Sequence, residues 1–167
     1  MSNNKLVLLV LFNCFLFAQS DNRGRFVDKV VIITGSSSGI GRDAAIEFAK
    51  EGANVVIHGR NKERLKETEA MIIKEAKVSE EKVLKVYGDI EKVETTKAIF
   101  DETIKKFKKI DILINNAGTV LLKGTKEQFD LNNLDYLYNV GLRSIVHLTS
   151  LCLREYALQV PKLSLCC

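Results

Sequence analysis

Residues 30–41 read Val-Val-Ile-Ile-Thr-Gly-Ser-Ser-Ser-Gly-Ile-Gly, a β-branched run that breaks into a glycine-rich turn. Val30–Ile33 is short and wholly apolar, as a strand buried on both faces of a parallel sheet must be. Beyond the turn, Ile40, Ala44, Ala45, Phe48 and Ala49 recur at helical spacing and predict one apolar stripe. Within the turn, Gly35 permits a sharp change of direction, Gly39 lets a bound group approach the backbone, and Gly41 permits close helix–sheet packing. The unpaired N–H groups and positive end of the helix face whatever that turn holds. Strand, glycine-rich turn and helix in this order predict a site for a dinucleotide pyrophosphate.

The alternation continues downstream. Ala53–Ile57 predicts a second strand, and Asn61 through Lys77 a charged helix with Leu65, Met71 and Ile72 turned inward. Lys82–Tyr87 predicts a third strand. Glu91–Lys108 predicts a helix whose apolar face draws on Val93, Ala98, Ile99, Ile104 and Phe107. Asp111–Ile114 is the fourth strand, and a last helix begins near Thr125 and resumes or continues through Asn133–Ala157. Together these imply an α/β fold, a partial Rossmann-type doubly wound parallel sheet with right-handed crossover helices. Numbered from Val30, the first four strands take the order 3-2-1-4, and the far side of the fourth is expected to stay an open edge.

Composition narrows the partners. A net charge of +4 is mild, and lysines alternate with glutamates instead of gathering in a tract, which argues against nucleic acid. Residues 6–18 form an apolar run after Lys5, broken only by Asn13, and Ala18-Gln19-Ser20 offers small residues for signal cleavage. Residues 1–20 therefore read as a secretory or ER-entry signal. An uncleaved anchor associating with the ER membrane through residues 5–18 is the alternative, and a buried or frayed terminus is the bland one. The expected location is the secretory pathway, secreted or in the endoplasmic reticulum. Cys14, Cys152, Cys166 and Cys167 form no disulfide framework and no metal-ligand spacing, so no metal site is expected.

The ends of the strands carry the chemistry. His58 and Gly59 occupy the position where a carboxylate often binds the adenosine ribose, and neither supplies one. Arg60 and Asn61 are cofactor-binding candidates: Arg60 can instead pair with a ribose 2′-phosphate, which favours NADP over NAD, and a solvated arginine at a helix start is the alternative. Asp89 can hydrogen-bond at the adenine edge or cap the helix that follows. His58 reads as a structural strand-end residue.

Thr34–Gly41, Asp89 and Asn115-Asn116-Ala117-Gly118, in this order and at strand ends, resemble the short-chain dehydrogenase/reductase family over about residues 26–161. The resemblance implies a Rossmann-type oxidoreductase that moves hydride between NADP(H) and an alcohol or carbonyl. Carried over by position, Gly35, Ser36, Ser38, Gly39, Ile40 and Gly41 form the pyrophosphate loop, and Arg60 the NADP-selecting position. Asp89 lies beside adenine, while Asn115, Ala117 and Gly118 line the cofactor cleft. Matching Leu142 to the family's leucine puts Gly141, not Asn139, where a catalytic asparagine is usual.

The family's catalytic serine and its Tyr-x-x-x-Lys helix find no match here. Tyr156 is followed four positions on by Val160 and Tyr136 by Val140, while Lys162 is out of step with Tyr156. The expectation is thus a chain truncated before its catalytic region and inactive by itself. Its domains would be a 1–20 leader, a partial NAD(P)-binding Rossmann domain at 27–161 and a 162–167 tail. The alternative is a noncatalytic NADP(H)-binding protein, forming homo- or hetero-oligomers through the late helix.

Overall fold

The computed structural model describes residues 7–9, 24–119 and 131–159. Five parallel strands form the sheet: β1 (Val7–Leu9), β2 (Val30–Ile33), β3 (Asn54–Gly59), β4 (Val83–Tyr87) and β5 (Ile112–Ile114). Their order across the sheet is β1-β5-β2-β3-β4. The four strands from Val30 onward therefore take the expected 3-2-1-4 arrangement. Between them run α1 (Gly39–Lys50), α2 (Lys62–Ala76) and α3 (Val93–Phe107). After β5 come α4 (Leu131–Tyr138), a π-helical turn at Asn139–Arg143, and α5 (Ser144–Gln159). The helix start proposed near Thr125 lies outside the described residues.

β2 explains why the sheet is buried on both faces. All four of its residues are fully buried, and they alternate between two cores. Val31 and Ile33 pack with Val55, Ile57, Ala45, Ala49, Leu65 and Ile72 on the α1–α2 side. Val30 and Ile32 pack with Val56, Val86, Ile99, Leu113, Leu148 and Cys152 on the α3–α5 side. Cys152 is a core residue, and burial pushes its thiol up to about 12.

Three helical stripes differ from the periodicity, α3 by Val93, its first residue, which lies outward while Thr95, Thr96, Ile99 and Thr103 face in. Ile40 is 77% exposed because it sits in the first turn of α1, ahead of the sheet contact, and Ile46 is buried instead. On α2, Met71 lies outward while Leu65, Thr68 and Ile72 face in. Thr68 is tolerated in the core because its hydroxyl donates to the Arg64 carbonyl and accepts from Arg42 Nε.

The amino-terminal reading is corrected. Val7–Leu9 pairs with β5 in parallel register, Val7 opposite Ile112 and Leu9 opposite Ile114. Backbone groups left unpaired on the outer edge of β5 are met by this short apolar strand, so that edge is not open. Three residues of the proposed signal or anchor thus belong to the sheet. Among the described residues no helix is long and apolar enough to cross a membrane. The signal, the ER association and the secretory or ER location are not retained.

Candidate functional site

At the carboxyl ends of β2, β3, β4 and β5 the polar groups lock into one scaffold. Thr34 Oγ1 accepts from the backbone N–H groups of Asn116 and Ala117, each at 3.0 Å. Asn116 Nδ2 returns the contact, donating to the Thr34 carbonyl at 2.9 Å and the Gly35 carbonyl at 3.1 Å. The two motifs, far apart in sequence, are thereby clamped face to face. Gly35 has φ +66°, and a Cβ there would lie 2.8 Å from Ala117 Cα, so both conformation and space require glycine. Gly41 has the second constraint only: its Cβ would lie 2.4 Å from Asn116 Nδ2.

His58 and Ser36 complete the scaffold from β3. Ser36, fully buried, donates through Oγ to the Ile33 carbonyl at 2.7 Å and accepts from the His58 N–H at 2.9 Å. His58 Nδ1 accepts from the Gly35 N–H at 3.3 Å, and Nε2 lies 3.1 Å from the Gly88 carbonyl, to which it donates in the matching tautomer. Burial pushes the imidazole down to about 4; the Gly88 carbonyl and Asp89 oppose that shift, and Arg60 adds to it. It is a neutral strut.

These groups border a cleft of about 360 Å³. Of the residues expected from sequence, Gly35, Ser38, Arg60, Asn61, Asp89, Ala117 and Gly118 line it. Ser36, Gly39, Ile40, Gly41 and Asn115 do not, although Gly39 sits at the mouth of α1 with φ +56° and open space where a Cβ would be. Asn115 instead ties β5 to α5 through Nδ2 to Thr149 Oγ1 at 3.3 Å. Asn61 spends its side chain as the N-cap of α2, Oδ1 accepting from Arg64 N at 2.8 Å. Asp89 Oδ1 accepts from the Glu91 N–H at 3.2 Å, a local turn ahead of α3.

Sequence reading missed Ser37, Arg64, Ile90, Asn116, Tyr136 and Val140, which also line the cleft. Arg64 had a signal, since it stands in the first turn of the helix that follows Arg60. Tyr136 had none, because only the fold brings it to Arg60, whose Nη1 donates to its hydroxyl at 2.6 Å. The same Nη1 stands 3.7 Å from Asp89 Oδ2. Asn139 donates to Glu91 at 3.3 Å, and both it and Gly141 fall in the π-helical turn instead of a regular helix. Among the described residues no cluster of metal-ligating side chains occurs.

The family model for short chain dehydrogenase matches residues 29–160. A 3beta-hydroxysteroid dehydrogenase of Mediterraneibacter gnavus is 36% identical over 121 residues, 72% of this chain and 42% of that protein. The 11-beta-hydroxysteroid dehydrogenase-like 3 protein of Arabidopsis thaliana is 42% identical over 107 residues, 62% of this chain and 34% of that one. Among solved structures, apo glucose dehydrogenase of Caenorhabditis elegans superimposes with a TM-score of 0.70 at 43% identity, covering 78% of this chain and 51% of that one. L-sorbose reductase of Gluconobacter frateurii, complexed with NADPH and L-sorbose, gives 0.71 at 32% identity, covering 78% and 48%. The chain thus spans about a third to two fifths of these curated relatives and about half of these structures.

These findings correct the expectation of a truncated, inactive chain. The family match runs through residue 160, beyond the cofactor motifs and across the late helices. Hydroxyl and imidazole groups are present and hydrogen-bonded there: Ser144 Oγ donates to the Val140 carbonyl at 2.7 Å, and Thr96 Oγ1 lies 2.7 Å from His147 Nδ1. Tyr138, 55% exposed, borders a second cleft together with His147 and Ser150. With the sheet order, the clamped motifs and the match over most of its length, the chain belongs to the short-chain dehydrogenase family.

Proposed function

We propose that this protein is an oxidoreductase that moves hydride between a nicotinamide cofactor and an alcohol or carbonyl, and that it prefers NADP(H) to NAD(H). Use of a nicotinamide cofactor accords with the relatives, of which the sorbose reductase is complexed with NADPH. The preference rests on one observation: the guanidinium of Arg60 borders the cleft just past β3, where no carboxylate stands on His58 or Gly59. A ribose 2′-phosphate suits that fork, whereas a bare ribose would lack the carboxylate that usually holds it.

The rest of the cleft fits the same ligand. Ser38 opens α1 without a side-chain capping bond, and the first turn of α1 carries no acidic residue. Its N–H groups are therefore available to a pyrophosphate, and Gly39 keeps the approach clear of a side chain. When bound, the cofactor supplies or accepts the hydride. This chain's residues would hold its phosphates at α1 and meet its adenosine end with Arg60 and Asp89, while Thr34, Asn116 and His58 keep the loop rigid. The substrate stays at the level of alcohol or carbonyl, since the relatives' names divide between steroids and sugars.

Calorimetric titration of the full chain with NADPH and NADH tests the reading. NADPH is expected to bind more tightly, and Arg60→Ala to weaken it by about 10- to 100-fold, the range of one charge-assisted contact, while NADH changes little. Equal affinity for the two cofactors overturns the preference. Oxidation of NADPH in the presence of ketone, aldehyde and sugar panels then tests the hydride transfer.

A further inference from the structure

We propose that Tyr136 is a specificity-determining residue that acts through Arg60, holding the guanidinium in the posture that receives a ribose 2′-phosphate; the proposal rests on the NADP(H) preference above. Arg60 lies just past β3 and is 61% exposed at its side chain, so left alone it would sample many rotamers. Tyr136 comes from α4, 76 residues later, and its hydroxyl accepts from Arg60 Nη1 at 2.6 Å. That contact joins β3's end to α4 along the border of the cleft.

The choice of partner matters. Asp89 Oδ2 is the competing anion and stands 3.7 Å from the same Nη1. A carboxylate that closed on Arg60 as a bidentate pair would occupy the fork a phosphate needs. Tyr136 offers a hydroxyl in place of a carboxylate, accepts from the arginine, and takes the corner nitrogen. Both contacts fall on Nη1, so neither uses the Nε–Nη2 edge, which can meet two phosphate oxygens. Arg64 also lines the cleft and adds a second cation to it. A 2′-phosphate then meets an arginine already ordered, whereas a cofactor without that phosphate gains nothing from the ordering.

The test is the affinity of the full chain for NADPH and NADH in Tyr136→Phe, with Arg60→Ala beside it. Tyr136→Phe is expected to weaken NADPH by about 3- to 10-fold, as for one hydrogen bond, with NADH within about twofold of the parent. Tyr136→Gln, which keeps an acceptor oxygen, is expected to recover part of the loss, and Tyr136→Phe on top of Arg60→Ala to add nothing. Equal weakening of both cofactors, or no weakening of either, overturns the role of Tyr136. If Arg60→Ala itself leaves the preference for NADPH intact, the fault lies with the underlying reading of Arg60.

Discussion

Helices α1 and α2 start at the carboxyl ends of adjacent parallel strands, yet their amino termini are finished in opposite ways. Asn61 closes α2 with its own side chain on Arg64 N, and Glu63 adds a carboxylate in the first turn. Ser38 opens α1 with no side-chain capping bond, and no acid follows in the first turn. One helix satisfies its orphan N–H groups and dipole internally; the other leaves both for something else. A chain selected only for stability would have capped the two alike. The difference accords with the proposal that the start of α1 receives the pyrophosphate, and that Arg60, ahead of the closed helix, meets a second anionic group through its side chain.

The largest way to break that contrast is to undo the scaffold that presents α1. His58 accepts from the Gly35 N–H while buried at 2% exposure, and its pKa is pushed down to about 4. In the unfolded chain the imidazole returns to its ordinary value near 6.5. Between those limits the unfolded chain takes up a proton that the folded one refuses. The contribution is therefore complete above about pH 6.5 and declines as the pH falls toward about 4, a loss approaching about 3 kcal/mol. Urea unfolding across that window checks it, with His58→Gln expected to start lower and lose the slope. A parent whose stability is flat from about pH 6.5 to 4.5 would show that the strut titrates freely.

A smaller change sharpens the contrast by closing α1 as α2 is closed. Ser38→Asp puts a carboxylate at the N-cap, which is expected to leave stability unchanged or raise it by about 0.5 kcal/mol. The same charge would meet the pyrophosphate. NADPH and NADH are both expected to bind about 10- to 30-fold more weakly, roughly 1.4–2 kcal/mol, in contrast to the selective effect at Arg60. Thermal melts and titrations on one preparation separate the two effects. Undiminished affinity would mean the anion is held elsewhere.

How much of this was legible depends on the distance over which each contact forms. The sheet order followed from local signals, because Val30–Ile33, the glycine turn and the later apolar runs each carry their own periodicity. Gly35 was readable for the same reason: a sharp turn after a strand favours glycine, and φ +66° is found. Ser36 is harder. Its hydroxyl is consumed by Ile33 and His58, a use that no spacing reveals, and it does not line the cleft. Tyr136 illustrates the limit, since its tie to Arg60 exists only once α4 is folded over the sheet. The amino-terminal apolar run failed differently. Apolarity suits a signal, an anchor or a strand edge alike, and pairing of Val7–Leu9 with β5 is a tertiary fact.

The smallest effect comes from opening α2 to match α1. Asn61→Ala removes the acceptor for Arg64 N, and the loss of one N-cap is expected to cost about 1 kcal/mol of stability. Sequence reading placed Asn61 among the cofactor-binding residues, and it does line the cleft, so its side chain has two candidate employers. The hydrogen bond favours the helix, since Oδ1 is committed to Arg64 N and the Nδ2 donors are what is left for a ligand. NADPH affinity should therefore stay within about twofold of the parent while the unfolding midpoint falls. The reverse outcome, intact stability with affinity lost about tenfold, would make the start of α2 a ligand site and erase the asymmetry between the two helices.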